Sequence, residues 1–314
     1  MSVLKVVVHN FMLAGLSAAV LVLMIAFASC NGVETTSPDY ELDSILGTRS
    51  LIIGENRFTF VIASRDGQII ENADVEAQFQ LHNGETIVSK AVSKAIYREI
   101  KGITPHVHSD GEIHEHIDAR GFYLVEKASF DETGVWSVSF NAISVEGEDL
   151  VVRDMAFNVS ETSDGISVGD RPPDTENLTI SDVVSLDELC TGSSDDGMHH
   201  LSVNEALVQR KPLVVAWATP MFCASTMCGP VLDTITRISD DYRQTVNFIH
   251  IEPFDLELAR NEGRLVASDL VMDWGIAREP WVFVLDSTGR VYSQFEGLVA
   301  GEEIRSSLDR LLSD

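Results

Sequence analysis

Residues 212–231 read Pro-Leu-Val-Val-Ala-Trp-Ala-Thr-Pro-Met-Phe-Cys-Ala-Ser-Thr-Met-Cys-Gly-Pro-Val. Pro212 to Ala218 is a short apolar run of the kind a buried parallel strand needs. It empties into a loop carrying Cys223 and Cys228. Gly229-Pro230 then leads into Val231, Leu232, Ile235, Ile238 and Tyr242, which fall close to one helical stripe. A strand that delivers a cysteine to a helix start has a chemical consequence. The helix N-terminus stabilises thiolate, the form that attacks disulfides and binds metal.

Trp217-Ala218-Thr219 resembles the Trp-Ala-x that precedes the redox motif of thioredoxins and their extracytoplasmic relatives. Cys228-Gly229-Pro230 resembles the first three residues of Cys-Gly-Pro-Cys, and Gly275-Ile276-Ala277-Arg278-Glu279-Pro280 resembles the stretch ending in the family's cis-proline. Trp281–Leu285, the turn Asp286-Ser287-Thr288-Gly289 and Val291–Phe295 read as the closing hairpin. On these motifs residues 186–314 are similar to the thioredoxin-like superfamily. The resemblance implies an α/β thioredoxin-like fold and thiol–disulfide exchange through Cys223 and Cys228. It also implies that Pro280, in cis, borders the substrate groove. The pattern departs from the family at Val231, which stands where the second cysteine belongs. The pair here is therefore Cys223-x-x-x-x-Cys228.

The conformation between the cysteines separates the readings. Continuous α-helix would hold the two Cα atoms about 8–9 Å apart with the side chains diverging, and no disulfide would form without unwinding. A helix beginning only at Gly229 lets the segment turn back. Cys228 is then the nucleophile at the helix start and Cys223 the resolving residue. In the other register Cys223, which follows Trp-Ala-Thr, takes the nucleophile's place. A structural disulfide without turnover is the third reading.

The 314 residues suffice for two ordinary domains. A net charge of −27 and the lack of a basic cluster argue against nucleic acid, and no Gly-rich phosphate loop points to a nucleotide. Residues 1–30 read as a targeting segment, apolar from Phe11 to Ala28. Phe27-Ala28-Ser29-Cys30 resembles a bacterial lipobox, which implies lipidation of Cys30 and a membrane anchor on the extracytoplasmic face of the cell envelope. An uncleaved signal anchor gives the same side of the membrane. That compartment permits disulfides. Removing Cys30 leaves Cys190, Cys223 and Cys228; a 223–228 pair makes Cys190 a spare thiol, buried and inert or a resolving partner.

Residues 31–48 read as a polar tether. Phe58, Phe60 and Ile62 alternate in one run, and Val75, Ala77, Phe79 and Leu81 in the next. Runs at 122–128, 136–142 and 155–159 follow, divided by turns such as Asp66-Gly67 and Asn83-Gly84. Short, half-buried strands at this spacing predict an antiparallel β-sandwich, Ig-like in shape, over residues 49–160. Residues 161–185, with Pro172-Pro173, read as an extended linker. Beyond it, Ser202 and Glu205 form a capping-box pattern. A strand at 246–251 and helices at 255–267 and 302–312 complete the second domain.

A second constellation lies at His106-Val-His108-Ser-Asp-Gly-Glu-Ile-His114-Glu-His116. On a strand, residues two apart share a face. A hairpin loop with an odd number of residues, His108 facing His114 and His106 facing His116, would collect four imidazoles for Zn²⁺ or Cu²⁺. A polar hairpin tip is the bland alternative. His199-His200 carries no role on this reading, and His250 is the one histidine placed to join a copper-type cysteine site.

Three functions follow from the sequence. The first is a membrane-tethered thiol–disulfide exchange protein that needs no cofactor and acts on a thiol or disulfide protein partner. The second is a non-enzymatic copper- or zinc-handling lipoprotein. The third is an envelope binding lipoprotein with a structural disulfide.

Overall fold

The computed structural model describes residues 41–101, 106–107, 113–114, 120–163, 165–192, 195–223 and 227–313. The targeting segment, Cys30 and the first part of the tether lie outside them. Contacts join Tyr40–Asp314 into one unit.

Its first half is built from β1 (Leu42–Leu46), β2 (Gly54–Ser64), β3 (Asp74–Asn83), β4 (Thr86–Glu99) and the short pair β5 (His106–Val107) and β6 (Ile113–His114). β7 (Gly121–Phe130), β8 (Gly134–Ile143), β9 (Asp149–Leu150) and β10 (Met155–Val159) follow. Seven strands run in the order β1-β2-β7-β4-β3-β8-β10, with β9 on β8. The alternating side chains Phe58, Phe60, Ile62, Val75, Ala77 and Phe79 point into one aromatic core with Phe130, Trp136 and Phe157. Phe58 meets Phe79 edge-on at 5.1 Å, and Phe130 meets Trp136 at 5.0 Å, the offset geometry aromatic rings favour.

Two expectations need correction here. The strands form one nearly closed sheet rather than two facing sheets. The cause is β4, whose 14 residues pair with β3 through Thr86–Ala95 and with β7 through Ile96–Glu99. Leu42 then reaches across the gap, its amide donating to Val151 O and its carbonyl accepting from Arg153 N. β4 carries no strong apolar alternation, because most of its side chains face solvent. The tether is shorter than residues 31–48, since Leu42–Leu46 pairs with β2.

β2 and β7 are buried on both faces. Phe58, Phe60, Tyr123 and Val125 belong to the inner core, while Val61, Ala63, Phe122 and Leu124 form a second cluster with Ile100, Leu298 and Ala300. That outer face meets the C-terminal half, which explains the near-continuous apolar runs Phe58–Ala63 and Phe122–Val125.

The C-terminal half comprises α1 (Val203–Val208), β11 (Leu213–Trp217), α2 (Cys228–Tyr242), β12 (Asn247–Ile251), α3 (Leu256–Glu262), α4 (Asp269–Asp273), β13 (Trp281–Leu285), β14 (Val291–Glu296) and α5 (Gly301–Ser313). The sheet order is β12-β11-β13-β14; β11 and β12 are parallel, and the other pairs are antiparallel. Val214, Ala216, Val282 and Val284 pack one face against α2 and α5, and Leu213, Val215, Trp217 and Phe283 pack the other against α1 and α4. This is the three-layer α/β arrangement that the resemblance implies. The capping box is present: Glu205 N donates to Ser202 Oγ at 3.2 Å and Ser202 N to Glu205 Oε2 at 2.9 Å. The helix expected over 255–267 instead stops at Glu262, because Gly263 takes the left-handed conformation (φ 65°) that ends helices.

The segment 161–185 contains no helix or strand among its described residues, yet it is packed rather than a free linker. Thr175, Asn177 and Thr179 are buried. Asn177 Oδ1 accepts from Val203 N at 2.8 Å, and Thr175 Oγ1 accepts from Trp274 Nε1 at 2.9 Å.

The two halves meet through polar contacts as well. Arg57 on β2 donates to both carboxylate oxygens of Glu303 on α5 (2.8 and 3.0 Å) and to the carbonyls of Leu298 (2.6 Å) and Glu296 (3.2 Å). Gly297, at φ 70°, lies so close to the first half that a Cβ would sit 2.8 Å from Gly47 O and 3.6 Å from Met227 Sδ. Met227 itself packs against the interface cluster and is the N-cap residue of α2.

Candidate functional site

β11 ends at Trp217, and Trp217, Ala218 and Thr219 are all fully buried. The chain then turns through Met221 to Cys223, and α2 begins at Cys228. Cys223 therefore lies outside the helix. The Cys228 amide, the first of the helix, donates to Cys223 Sγ at 3.3 Å. Both sulfurs and a carboxylate oxygen of Glu279 lie within 4.8 Å of one another. A disulfide needs its sulfurs at about 2 Å, so a modest closure suffices.

The environments of the two thiols differ. Cys228 is fully buried and Cys223 only partly so. Burial pushes the Cys228 thiol well above its ordinary value, and the neighbouring Cys223 and the Glu279 charge add to the shift. Cys223 Sγ receives an N–H from a helix N-terminus, the contact by which such a terminus holds a sulfur anion. The helix start at Cys228 matches the register in which the sequence makes Cys228 the nucleophile, whereas the burial of the Cys228 thiol and the Cys228 N–H donated to Cys223 Sγ point the other way. The Glu279–Pro280 peptide is cis, as the resemblance implies, and the Pro280 carbonyl accepts from Gly297 N at 3.0 Å.

No protein-family model matches this chain, and no curated protein is similar to it. Partial likenesses exist among solved structures. A candidate protein disulfide isomerase from Bacteroides thetaiotaomicron is 12% identical over 48% of this chain and 92% of its own, with a TM-score of 0.33. A DsbF homologue from Corynebacterium diphtheriae is 15% identical over 47% and 91%, with a TM-score of 0.31. A thioredoxin-like protein in its oxidised form is 15% identical over 46% and 96%, with a TM-score of 0.30.

A second group of reactive side chains was not assembled from the sequence. Cys190 follows a single turn of 3-10 helix at Leu186–Glu188, Asp196 and His199 lie on the approach to α1, and His250 sits on β12. Their ligand-type atoms all lie within 4.8 Å of one another. Cys190, His199 and His250 are each 2% exposed. His250 Nδ1 lies 2.7 Å from Asp196 Oδ2 and 3.8 Å from Cys190 Sγ, and its Nε2 is 3.0 Å from the Ala218 carbonyl. Carboxylate and carbonyl oxygens only accept, so this histidine carries protons on both nitrogens when it makes both bonds.

The charges within the cluster offset its burial. Burial opposes ionisation of Asp196, but His199 and His250 hold its carboxyl well below the usual carboxylate range. Burial likewise opposes charge on His199, and Asp196 and Cys190 outweigh it, raising His199 to about 9. Burial also opposes a Cys190 thiolate, and the two histidines bring that thiol down to about 7. His250 is raised well above the ordinary histidine value: burial works against its charge, and Asp196 and Cys190 prevail. Cys190 is buried, and its sulfur packs beside two histidines and a carboxylate. The sequence signal was a histidine inside the apolar run Phe248-Ile-His-Ile251; the separation of 60 positions between Cys190 and His250 hid its partner.

For the histidine-rich hairpin, the backbone pairs His106 with His114 and Val107 with Ile113. The register therefore differs by two residues from the expected pairing of His108 with His114, with an odd number of residues still in the loop. His108 and His116 lie outside the described residues.

Proposed function

We propose that this chain is a thioredoxin-like thiol–disulfide exchange protein in which Cys223 attacks and Cys228 resolves. The observation that carries the proposal is the helix-start amide of Cys228 donating to Cys223 Sγ at 3.3 Å, with the Cys228 thiol fully buried behind it.

The Cys223 thiolate attacks one sulfur of a protein disulfide, forming a mixed disulfide and expelling the other sulfur as a thiolate, which takes a proton from solvent. Cys228 then loses its proton and attacks Cys223 Sγ. The second substrate sulfur leaves as thiolate, and the Cys223–Cys228 disulfide remains. Two electrons have passed to the substrate, and the same steps in reverse oxidise a dithiol. The cis-Pro280 and Glu279 border the groove in which the substrate sulfur meets Cys223.

The lipobox-like residues Phe27–Cys30 support attachment of Cys30 to a membrane on the extracytoplasmic face, where protein disulfides are available as substrates.

Reduction of insulin disulfides by the full chain tests this function, with Cys223→Ser and Cys228→Ser as controls. A rate that both substitutions abolish is expected. A rate indistinguishable between wild type and the Cys223→Ser variant would contradict it.

A further inference from the structure

We propose that Cys190, Asp196, His199 and His250 form a binding site for one divalent zinc-type metal ion, separate from the Cys223–Cys228 pair. Four observations support the site independently of the redox function.

The donor set comes first. Two imidazoles, one thiolate and one carboxylate are the ligand types zinc prefers. A tetrahedral site with bonds of about 2.0–2.3 Å places its donor atoms about 3.3–3.8 Å apart. Here the His250 Nδ1 to Cys190 Sγ distance is 3.8 Å, the His199 Nε2 to Asp196 Oδ1 distance is 3.4 Å, and all four donors fall within 4.8 Å. The 2.7 Å approach of His250 to Asp196 has to open for an ion to enter.

The second observation is the outer contact of His250. Its Nε2–H is held by the Ala218 carbonyl at 3.0 Å. A metal-bound histidine characteristically donates its far nitrogen to such a carbonyl, which fixes the tautomer and aims the near nitrogen inward. Nδ1 is thereby aimed at Asp196 and Cys190.

Third, His199 Nε2 is buried and meets no hydrogen-bond geometry, lying 3.4 Å from Asp196 Oδ1 and beside the Cys190 sulfur. A buried ring nitrogen without a hydrogen bond is costly, and a metal ion would satisfy it.

Fourth, the loop bearing Cys190 is fixed at several points. Gly192 N donates to Cys190 Sγ at 3.3 Å, Arg260 Nη2 donates to the Cys190 carbonyl at 3.0 Å, and Thr191 donates through both N and Oγ1 to buried Glu252. An amide donor to sulfur suits a metal-bound thiolate.

Four protein donors with three of them fully enclosed make a closed, structural site rather than a catalytic one. The ion takes the place of protons on Sγ, Nδ1 and Nε2, so binding releases protons and changes no oxidation state. The site also braces the redox loop. Ala218 is the last residue before that loop, and Met221 N donates to Thr191 Oγ1 at 3.1 Å.

The test uses the full chain, stripped with chelator and titrated with Co²⁺ or Zn²⁺ alone. One Co²⁺ per chain, with a sulfur-to-cobalt charge-transfer band, is expected, and Zn²⁺ should raise the thermal midpoint. Cys190→Ser should abolish the band. Asp196→Asn should keep the band and weaken Zn²⁺ binding by at least about tenfold, the lower end of what losing even an outer-shell partner costs. The Cys223→Ser/Cys228→Ser double variant should retain both band and affinity. Should Cys190→Ser fail to fold, the Asp196→Asn and double variants still decide the matter. No stoichiometric cobalt in the wild type, a band that survives Cys190→Ser, or a band lost in the double variant would overturn the proposal.

Discussion

The amide of Cys228 points at the sulfur of Cys223 from 3.3 Å, while the Cys228 thiol is wholly buried behind it. One residue thus supplies both the donor that favours a thiolate on its partner and the protonated thiol that waits behind it. Division of labour between two cysteines requires this asymmetry.

The asymmetry predicts which substitution traps an intermediate. Cys228→Ser removes the resolving thiol and should accumulate mixed disulfides through Cys223, visible on non-reducing gels as adducts that reductant releases. Cys223→Ser should accumulate none. Adducts through Cys228 in the Cys223→Ser variant would reverse the roles.

Glu279 adds negative charge beside the pair and helps hold the Cys228 thiol above its ordinary value. Glu279→Gln should lower that value and speed resolution. A downward shift of one unit raises the thiolate fraction about tenfold near neutral pH, and the lower nucleophilicity of the more acidic thiolate leaves a rate gain of about three- to fourfold. Rapid-quench measurement of mixed-disulfide decay reads the effect; slower decay would contradict it.

The interface is the next point of leverage. Arg57 and Glu303 keep only 16% and 12% of their side chains exposed, and Arg57 also holds two carbonyls of the C-terminal half. Arg57→Ala leaves a largely buried carboxylate unpaired and should cost on the order of 3 kcal/mol in urea unfolding. A loss below about 0.5 kcal/mol would place this pair with ordinary surface ion pairs.

Tyr123 gives a pH dependence. Its hydroxyl donates to Ile70 O at 2.8 Å and accepts from Ala73 N at 3.0 Å, and burial raises it to about 12. Between pH 10 and about 12 the unfolded chain loses this proton and the folded chain keeps it. The contribution is therefore complete below pH 10 and lost as pH rises through about 12. Tyr123→Phe should cost about 1–3 kcal/mol at neutral pH and should flatten the alkaline decline in stability. An unchanged alkaline slope would contradict the assignment.

Much of the C-terminal half was legible because its signals are local. The strand at Leu213–Trp217, the Ser202 capping box, the hairpin around Asp286 and the proline at 280 each depend on neighbours a few residues away. The first half was legible as β structure but not as a nearly closed sheet. Closure depends on β4, a solvent-facing strand with weak alternation, and on Leu42 bonding to residues more than 100 positions away. The apolar runs in β2 and β7 were visible, yet their second buried face follows only from the Leu298–Ala300 contact. The cysteine pair could be named from sequence, whereas the N–H contact between them depends on the helix starting at Cys228, which the sequence left open. The Cys190 cluster needed three separated segments brought together, and only the histidine within β12 hinted at it.

The reduction potential of the Cys223–Cys228 pair, measured by equilibrating the full chain in thiol–disulfide buffers, tests the proposed exchange most directly. A working couple should fall between about −270 and −120 mV, and a value below about −300 mV would make the pair a structural bridge.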